Sequence, residues 1–192
     1  LIPNENRFTL TAIIDLDKKF NVIGLDVKKG IINSNHRLTY DEAQKILDSE
    51  SGEAFLLLNS LKKISTSLRI ARIKAGSLNI EIPEPYFIMD DKGCPEKIST
   101  KNNLETHQLV EEFMLLANKT IATFYKNNDK LVYRNHRMPE IEKLNFLNRI
   151  LGQFGDYKQL DTNKDVKALD FQWILDQAQK FEMHHMLETL LL

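Results

Sequence analysis

The chain has 192 residues, a formal net charge of −1 and 42% hydrophobic residues. That supports a real core in one domain, or one and a half, while the absence of any block of like charge gives no electrostatic warrant for nucleic acid. The single cysteine, Cys94, excludes a disulfide framework or a cysteine zinc cage and favours a reducing, cytoplasmic setting, and no apolar run approaches the ~18 residues of a membrane span.

The N-terminal LIPNENRFTLTA lacks the basic region, apolar core and cleavage site of a secretory signal. Residues 7–17, RFTLTAIIDLD, alternate early and are rich in Thr and Ile, which predicts a strand. DKKF follows as a polar turn. Residues 21–33 read as a second strand, with Gly24 and Gly30 as bend or bulge candidates, so the pair is expected to form an antiparallel hairpin. In LTYDEAQKILDS, Thr39 is a plausible N-cap and Glu42, three residues on, completes a capping box. That helix is expected to end near Asp48 or Ser49, where SESG breaks it.

Residues 53–74 carry Phe55, Leu56, Leu58, Leu61, Leu68, Ile70 and Ile73, the pattern of a long amphipathic helix. Arg69, Arg72 and Lys74 suit its C-terminal dipole, and Gly76 its stop. Residues 77–90 alternate but contain Pro83 and Pro85, so an edge strand is expected, followed by the turn DDKGCP. A helix near 105–126, a short strand KLVYRNH and a helix opened by Pro139 and ending near Gly155 come next. One or two helices finish the chain. Early strands and late helices make an α+β fold. The chain begins at Leu1 and ends in HMLETLLL, and three exposed terminal leucines would be unusual. The expectation is a piece cut inside a domain at both ends.

The helix near 105–126 holds two adjacent acids, Glu111 and Glu112. Val110, Phe113, Met114, Ala117, Ile121 and Phe124 recur at i, i+3, i+4, i+7 spacing and form the expected core stripe. Glu111 and Asn118 are seven apart and share a line beside that stripe, whereas Glu112 points further round. Two readings stand side by side. In one the acids complement the helix dipole. In the other a carboxylate and an amide on the rim of an apolar stripe form part of a polar pocket.

The segment RFTLTAIIDLDKKFNVIGLDVKKGIINSNHRLTYDEAQKIL, followed by RIKAGSLNIEIPEPYFIMDDKGCP, HQLVEEFMLLAN and YRNHRMPEIEKLNFL, resembles the ribonuclease II/ribonuclease R family. These four landmarks stand in family order across residues 7–155. The match is to the catalytic RNB domain and is greatest with the ribonuclease R branch. LVEEFMLLAN after LTYDEA at this separation is the specific part. The resemblance implies a 3′→5′ exoribonuclease that degrades RNA processively to nucleotide monophosphates. In that family an aspartate cluster binds magnesium, which organises a water for in-line attack, and aromatic residues stack on the last bases. Motif by motif, Tyr40 and either Glu111 or Glu112 match the residues held to contact the terminal nucleotide. Helical geometry favours Glu111, beside the core line with Asn118.

The departures are as informative. The family's aspartate cluster precedes the first strand and is not in this sequence. The RSM and SPIRRY arginine segments, which help hold the phosphate, are also missing. Ile80 stands where many relatives carry Phe. The chain is therefore expected to be residues 1–192 of the middle of one RNB domain, a monomer when whole, with no catalytic or metal-binding residue of its own. It would contribute single-stranded RNA contacts through Tyr40, Glu111, Glu112, His36, Arg37 and Arg72. Each has a plain structural reading too: Tyr40 as packing, His36 and Arg37 as an exposed loop, and Arg69 as a solvated helix end. Arg134 and His136 read as structural, Trp173 as core, and the adjacent His184 and His185 lack the i, i+4 spacing of a metal pair. The alternatives are a non-catalytic RNA-binding module and a helical protein-interaction domain.

Overall fold

A computed structural model describes residues 2–78, 85–100, 103–127, 131–134, 137–153, 159–162, 164, 166–178 and 184–191, the side chains of the last stretch from Met186. The chain divides into two compact units, one of residues 1–70 with 103–134, the other of residues 71–102 with 135–192.

The first unit opens with β1 (Asn6–Leu16) and β2 (Val22–Asn33), the expected antiparallel hairpin. The register slips between Asp15 and Leu16. Gly24 stands opposite Asp15 at that slip, where a Cβ would lie 2.9 Å from the Asp15 carboxylate. Gly30 pairs with Thr9 in regular register and marks no bulge. The Asp17 carboxylate builds the turn by accepting from the backbone N–H of Lys19 and Asn21, both at 2.8 Å. Phe20 takes the left-handed conformation, φ 63°, that a side chain of its size seldom adopts.

Helix α1 (Tyr40–Ser49) has the expected start. The Glu42 N–H donates to the Thr39 hydroxyl at 3.3 Å, and the Glu42 carboxylate accepts from the Thr39 N–H at 2.7 Å. Both halves of the capping box are present. These bonds hold the Glu42 carboxyl below its ordinary value of 4.5, the Thr39 backbone donor contributing most. Helix α2 (Phe55–Lys74) half-buries Phe55, Leu58, Leu61, Ile64 and Leu68, while Leu56 and Ile70 of the expected stripe face solvent. Helix α3 (Glu105–Phe124) contacts α1 and both strands.

The second unit holds β3 (Pro85–Met89) and β4 (Pro95–Thr100), another antiparallel hairpin. Residues 79–84 of the expected edge strand lie outside the described residues. Strand β4 carries no apolar alternation, and Ile98 is its lone large apolar residue. Its partner β3 makes it a strand. The turn repeats the first hairpin's device: Asp90 accepts from the N–H groups of Lys92 and Cys94 at 2.9 and 2.7 Å, with Gly93 (φ 77°) in the left-handed position. Back in the first unit, the expected strand KLVYRNH is irregular over the described residues 131–134, where the Tyr133 hydroxyl donates to the Tyr125 carbonyl.

Helices α4 (Ile141–Gln153), α5 (Ala168–Ala178) and α6 (His184–Leu190) supply the second unit's core. Leu144, Leu147 and Leu151 from α4 meet Ile174 and Ala178 from α5 and Leu187 from α6. Leu160 joins them because Asn148 grips its backbone twice, donating to its carbonyl at 2.8 Å and accepting from its N–H at 2.7 Å. Leu187 is fully buried and Leu191 packs against the cluster, so the apolar tail is partly spent on core. Trp173, expected as core, is 39% exposed. Gly76 stops α2 as expected: φ is 99°, and a Cβ would meet Leu169 at 2.9 Å.

Two outcomes follow from these local devices. The Glu42 pKa is lowered on folding, so its stabilisation is complete above the unfolded carboxylate value and is lost as pH falls through the folded one. An NMR titration should place the Glu42 carboxyl midpoint below 4.5, and Thr39→Ala should return it upward. Truncating Leu151, which is fully buried, to Ala should cost about 2–5 kcal/mol in denaturant melts.

Candidate functional site

The residues singled out by sequence concentrate in the first unit around the first turns of α1 and α3. Tyr40 is the first residue of α1 and is 44% exposed. Its ring stacks on His107, with centroids 4.0 Å apart and planes 22° from parallel. One ring face is therefore occupied, and the exposure belongs to the remainder. The backbone beneath is fixed from α3: the Thr106 hydroxyl donates to the Tyr40 carbonyl at 3.0 Å, and the Thr106 N–H donates to the Gln44 side-chain oxygen at 3.2 Å. Thr106 is 3% exposed, so both bonds are shielded from competing water.

Helix α3 starts in an unusual way. Its N-cap is Leu104, which has no side-chain acceptor. The reciprocal half of a capping arrangement survives, because the Leu104 N–H donates to Nδ1 of His107 at 3.2 Å. Accepting that bond requires Nδ1 to carry no proton, so His107 presents its proton at Nε2. Glu105, beside it, pairs with Lys62 at 2.8 Å.

The two glutamates of α3 are now distinguishable, and the expected geometry is corrected. Glu112 is the buried one, 3% exposed, whereas Glu111 and Asn118 lie on the exposed side. The buried line runs through Thr106, Leu109, Glu112 and Thr120; of the expected stripe Phe113, Ala117 and Ile121 are half-buried, whereas Val110, Met114 and Phe124 are exposed. The helix has been turned about its axis relative to the stripe its apolar residues suggest. Thr106 bonds α1, and that bond needs a different face inward. Glu112 stands 3.9 Å from Arg69 of α2, which is 19% exposed. Arg69 is thus a partner to a buried acid and not a solvated helix end. Arginine offers several donors to such a carboxylate.

His36 pairs with Glu53 at 3.5 Å and Arg37 is exposed, both in the segment leading into α1. Arg72 belongs to the other unit, where it donates to the Ser77 hydroxyl at 2.8 Å as part of the α2 terminus. Arg134 is exposed, His136 and Ile80 lie outside the described residues, and Cys94 is an exposed free thiol in its turn. Sequence reasoning missed His107, Thr106 and Gln44. The one available signal was His107 at the third position of a helix, where a capping partner belongs.

The RNB domain pattern matches residues 1–191. The chain belongs to the RNB domain family. Ribonuclease R of Aquifex aeolicus is 32% identical over 162 residues, 81% of this chain and 23% of that protein. An Arabidopsis thaliana protein named as the inactive exonuclease DIS3L2 is 33% identical over 164 residues, 75% of this chain and 15% of that one. The chain thus spans less than a quarter of the length of either relative. Mycoplasma genitalium RNase R, solved in complex with ribose-methylated single-stranded RNA, shares the fold: TM-score 0.89 at 23% identity, covering 100% of this chain and 31% of that one. The α+β arrangement is therefore that of part of an RNB domain. Among the described residues no group of three or more His, Cys, Asp or Glu side chains could hold a metal ion, so the residues described here do not fit a magnesium centre.

The contrast between the acids is measurable. Glu112→Ala removes one member of a buried pair and should cost about 2–4 kcal/mol in urea melts. Glu111→Ala, on the exposed side, should cost under about 1 kcal/mol.

Proposed function

We propose that this chain is the middle of the catalytic RNB domain of a cytoplasmic, monomeric, ribonuclease R-like enzyme that removes nucleotide monophosphates processively from the 3′ end of single-stranded RNA. The observation that carries the reading is the RNB match over residues 1–191 together with a partly open Tyr40 ring held from behind by His107. A ring with one face supported and another part exposed is a stacking surface, and every base has a face to offer it. His36 and Arg37, just before Tyr40, provide polar and cationic groups suited to phosphate or ribose. Glu111 is the acid on the solvent-facing side of α3, where a nucleotide could reach it, while Glu112 fastens α3 to α2.

The magnesium that drives hydrolysis in this reading is held by residues elsewhere in the complete enzyme, and no step of the chemistry runs through this chain's own side chains. Their work is to grip and orient the RNA end. A second reading, a non-catalytic RNA-binding module, is favoured by one observation: a relative of equal similarity carries the name of an inactive exonuclease.

The test uses 3′-labelled single-stranded RNA with magnesium. The whole encoded protein should shorten it stepwise, the chain of residues 1–192 alone should leave it intact, and Tyr40→Ala in the whole protein should lower kcat/KM by about tenfold. Binding without shortening by the whole protein would establish the second reading. Shortening by the isolated chain, free of contaminating nuclease, would overturn the division of labour.

A further inference from the structure

We infer that His107 is a positioning residue for RNA, holding the Tyr40 ring at a fixed angle as a stacking platform. The inference rests on the reading that Tyr40 meets a base. Three contacts carry it. The His107 ring lies 4.0 Å from that of Tyr40 at 22°, which is stacking distance. The His107 ring is itself held, because Nδ1 accepts the Leu104 N–H at 3.2 Å. The neighbouring Thr106 ties the Tyr40 carbonyl at 3.0 Å and the Gln44 side chain at 3.2 Å. Backbone and ring of Tyr40 are thus fixed from two consecutive residues of α3.

The physical consequence concerns entropy. A tyrosine at the first position of a helix, with part of its ring in solvent, would sample several rotamers. Each base that stacked on it would then have to freeze that freedom. His107 removes the freedom in advance. Two planar rings and an incoming base would make a three-layer stack in which His107 never touches the RNA. The device does not depend on the base identity, in keeping with sequence-tolerant binding.

The two roles of the His107 ring, stacking and capping, can be separated chemically. Phenylalanine keeps a ring to stack but has no acceptor for Leu104. Glutamine keeps an acceptor at the third helical position, where it caps well, but has no ring. The assay is equilibrium binding by the whole encoded protein, with divalent cations chelated, to an oligoadenylate and to the matching abasic ribose-phosphate oligomer. Circular dichroism checks that each variant is folded.

Tyr40→Ala is expected to weaken oligoadenylate binding about tenfold and abasic binding not at all. His107→Gln should weaken oligoadenylate binding about fivefold with abasic binding unchanged, and His107→Phe should restore it to within about twofold. In the double variant the His107→Gln effect should vanish once Tyr40 is Ala. If His107→Phe loses binding while His107→Gln keeps it, the residue is a helix cap only and the inference falls. If Tyr40→Ala matters but neither His107 variant does, the inference falls and the reading of Tyr40 stands. If Tyr40→Ala affects neither oligomer, or weakens both equally, the reading of Tyr40 fails and the inference with it.

Discussion

The first unit depends on the fastening of α1 to α3 at their first turns. A helix start leaves backbone N–H groups without partners, and α1 and α3 meet that need differently. Helix α1 solves it locally, with Thr39 and Glu42. Helix α3 begins at Leu104, which cannot cap, and solves it with His107 and the side chain of Gln44 on α1. The start of α3 is therefore incomplete without α1. Once Thr106 bonds the Tyr40 carbonyl, the rotation of α3 is set, and that rotation decides which glutamate is buried.

Burying Glu112 has its own demands. A carboxylate that is 3% exposed needs a cationic or hydrogen-bonding neighbour to offset its lost hydration. Arg69 stands within 3.9 Å and is itself largely shielded from water, at 19% exposed. The pair links α2 to α3 as Thr106 links α1 to α3. Fixed geometry at Tyr40 is a by-product of the same interlocking: the residue proposed to meet RNA sits on a turn tied by its own capping box and by Thr106 and His107 of α3. A binding surface on a rigid element holds its geometry better than one on a loop.

The two hairpins show the opposite economy. Each closes with an aspartate that accepts two backbone N–H groups, and each places a left-handed residue at the same point, Phe20 in one and Gly93 in the other. In both turns the aspartate's acceptors are used within four residues of it. The sheet between β1 and β2 half-buries Ala12, Ile14 and Leu16 while Phe8, Leu10 and Ile31 stand exposed. Alternation decides which side chains share a face, but what covers that face is decided elsewhere.

Local chemistry within four or five residues was legible in the sequence alone. The capping box at Thr39 and Glu42, the stop at Gly76 and the polar turn after Asp17 depend on residues close together along the chain, while the first hairpin and the long helices were legible from periodicity and the RNB family from landmarks kept in order across residues 7–155. Strand β4 was not legible, because without apolar alternation it owes its state to pairing with β3. Tertiary structure alone decided that α3 turns Glu112 inward and Glu111 outward, that Arg69 serves an acid rather than water, that Trp173 stays 39% exposed, and that His107 lies under Tyr40. The reason is common to all four. Residues 40 and 107, or 69 and 112, meet only after the helices pack, and a helix with several apolar residues around its circumference can bury more than one face. Which face wins is set by the hydrogen bonds its neighbours offer.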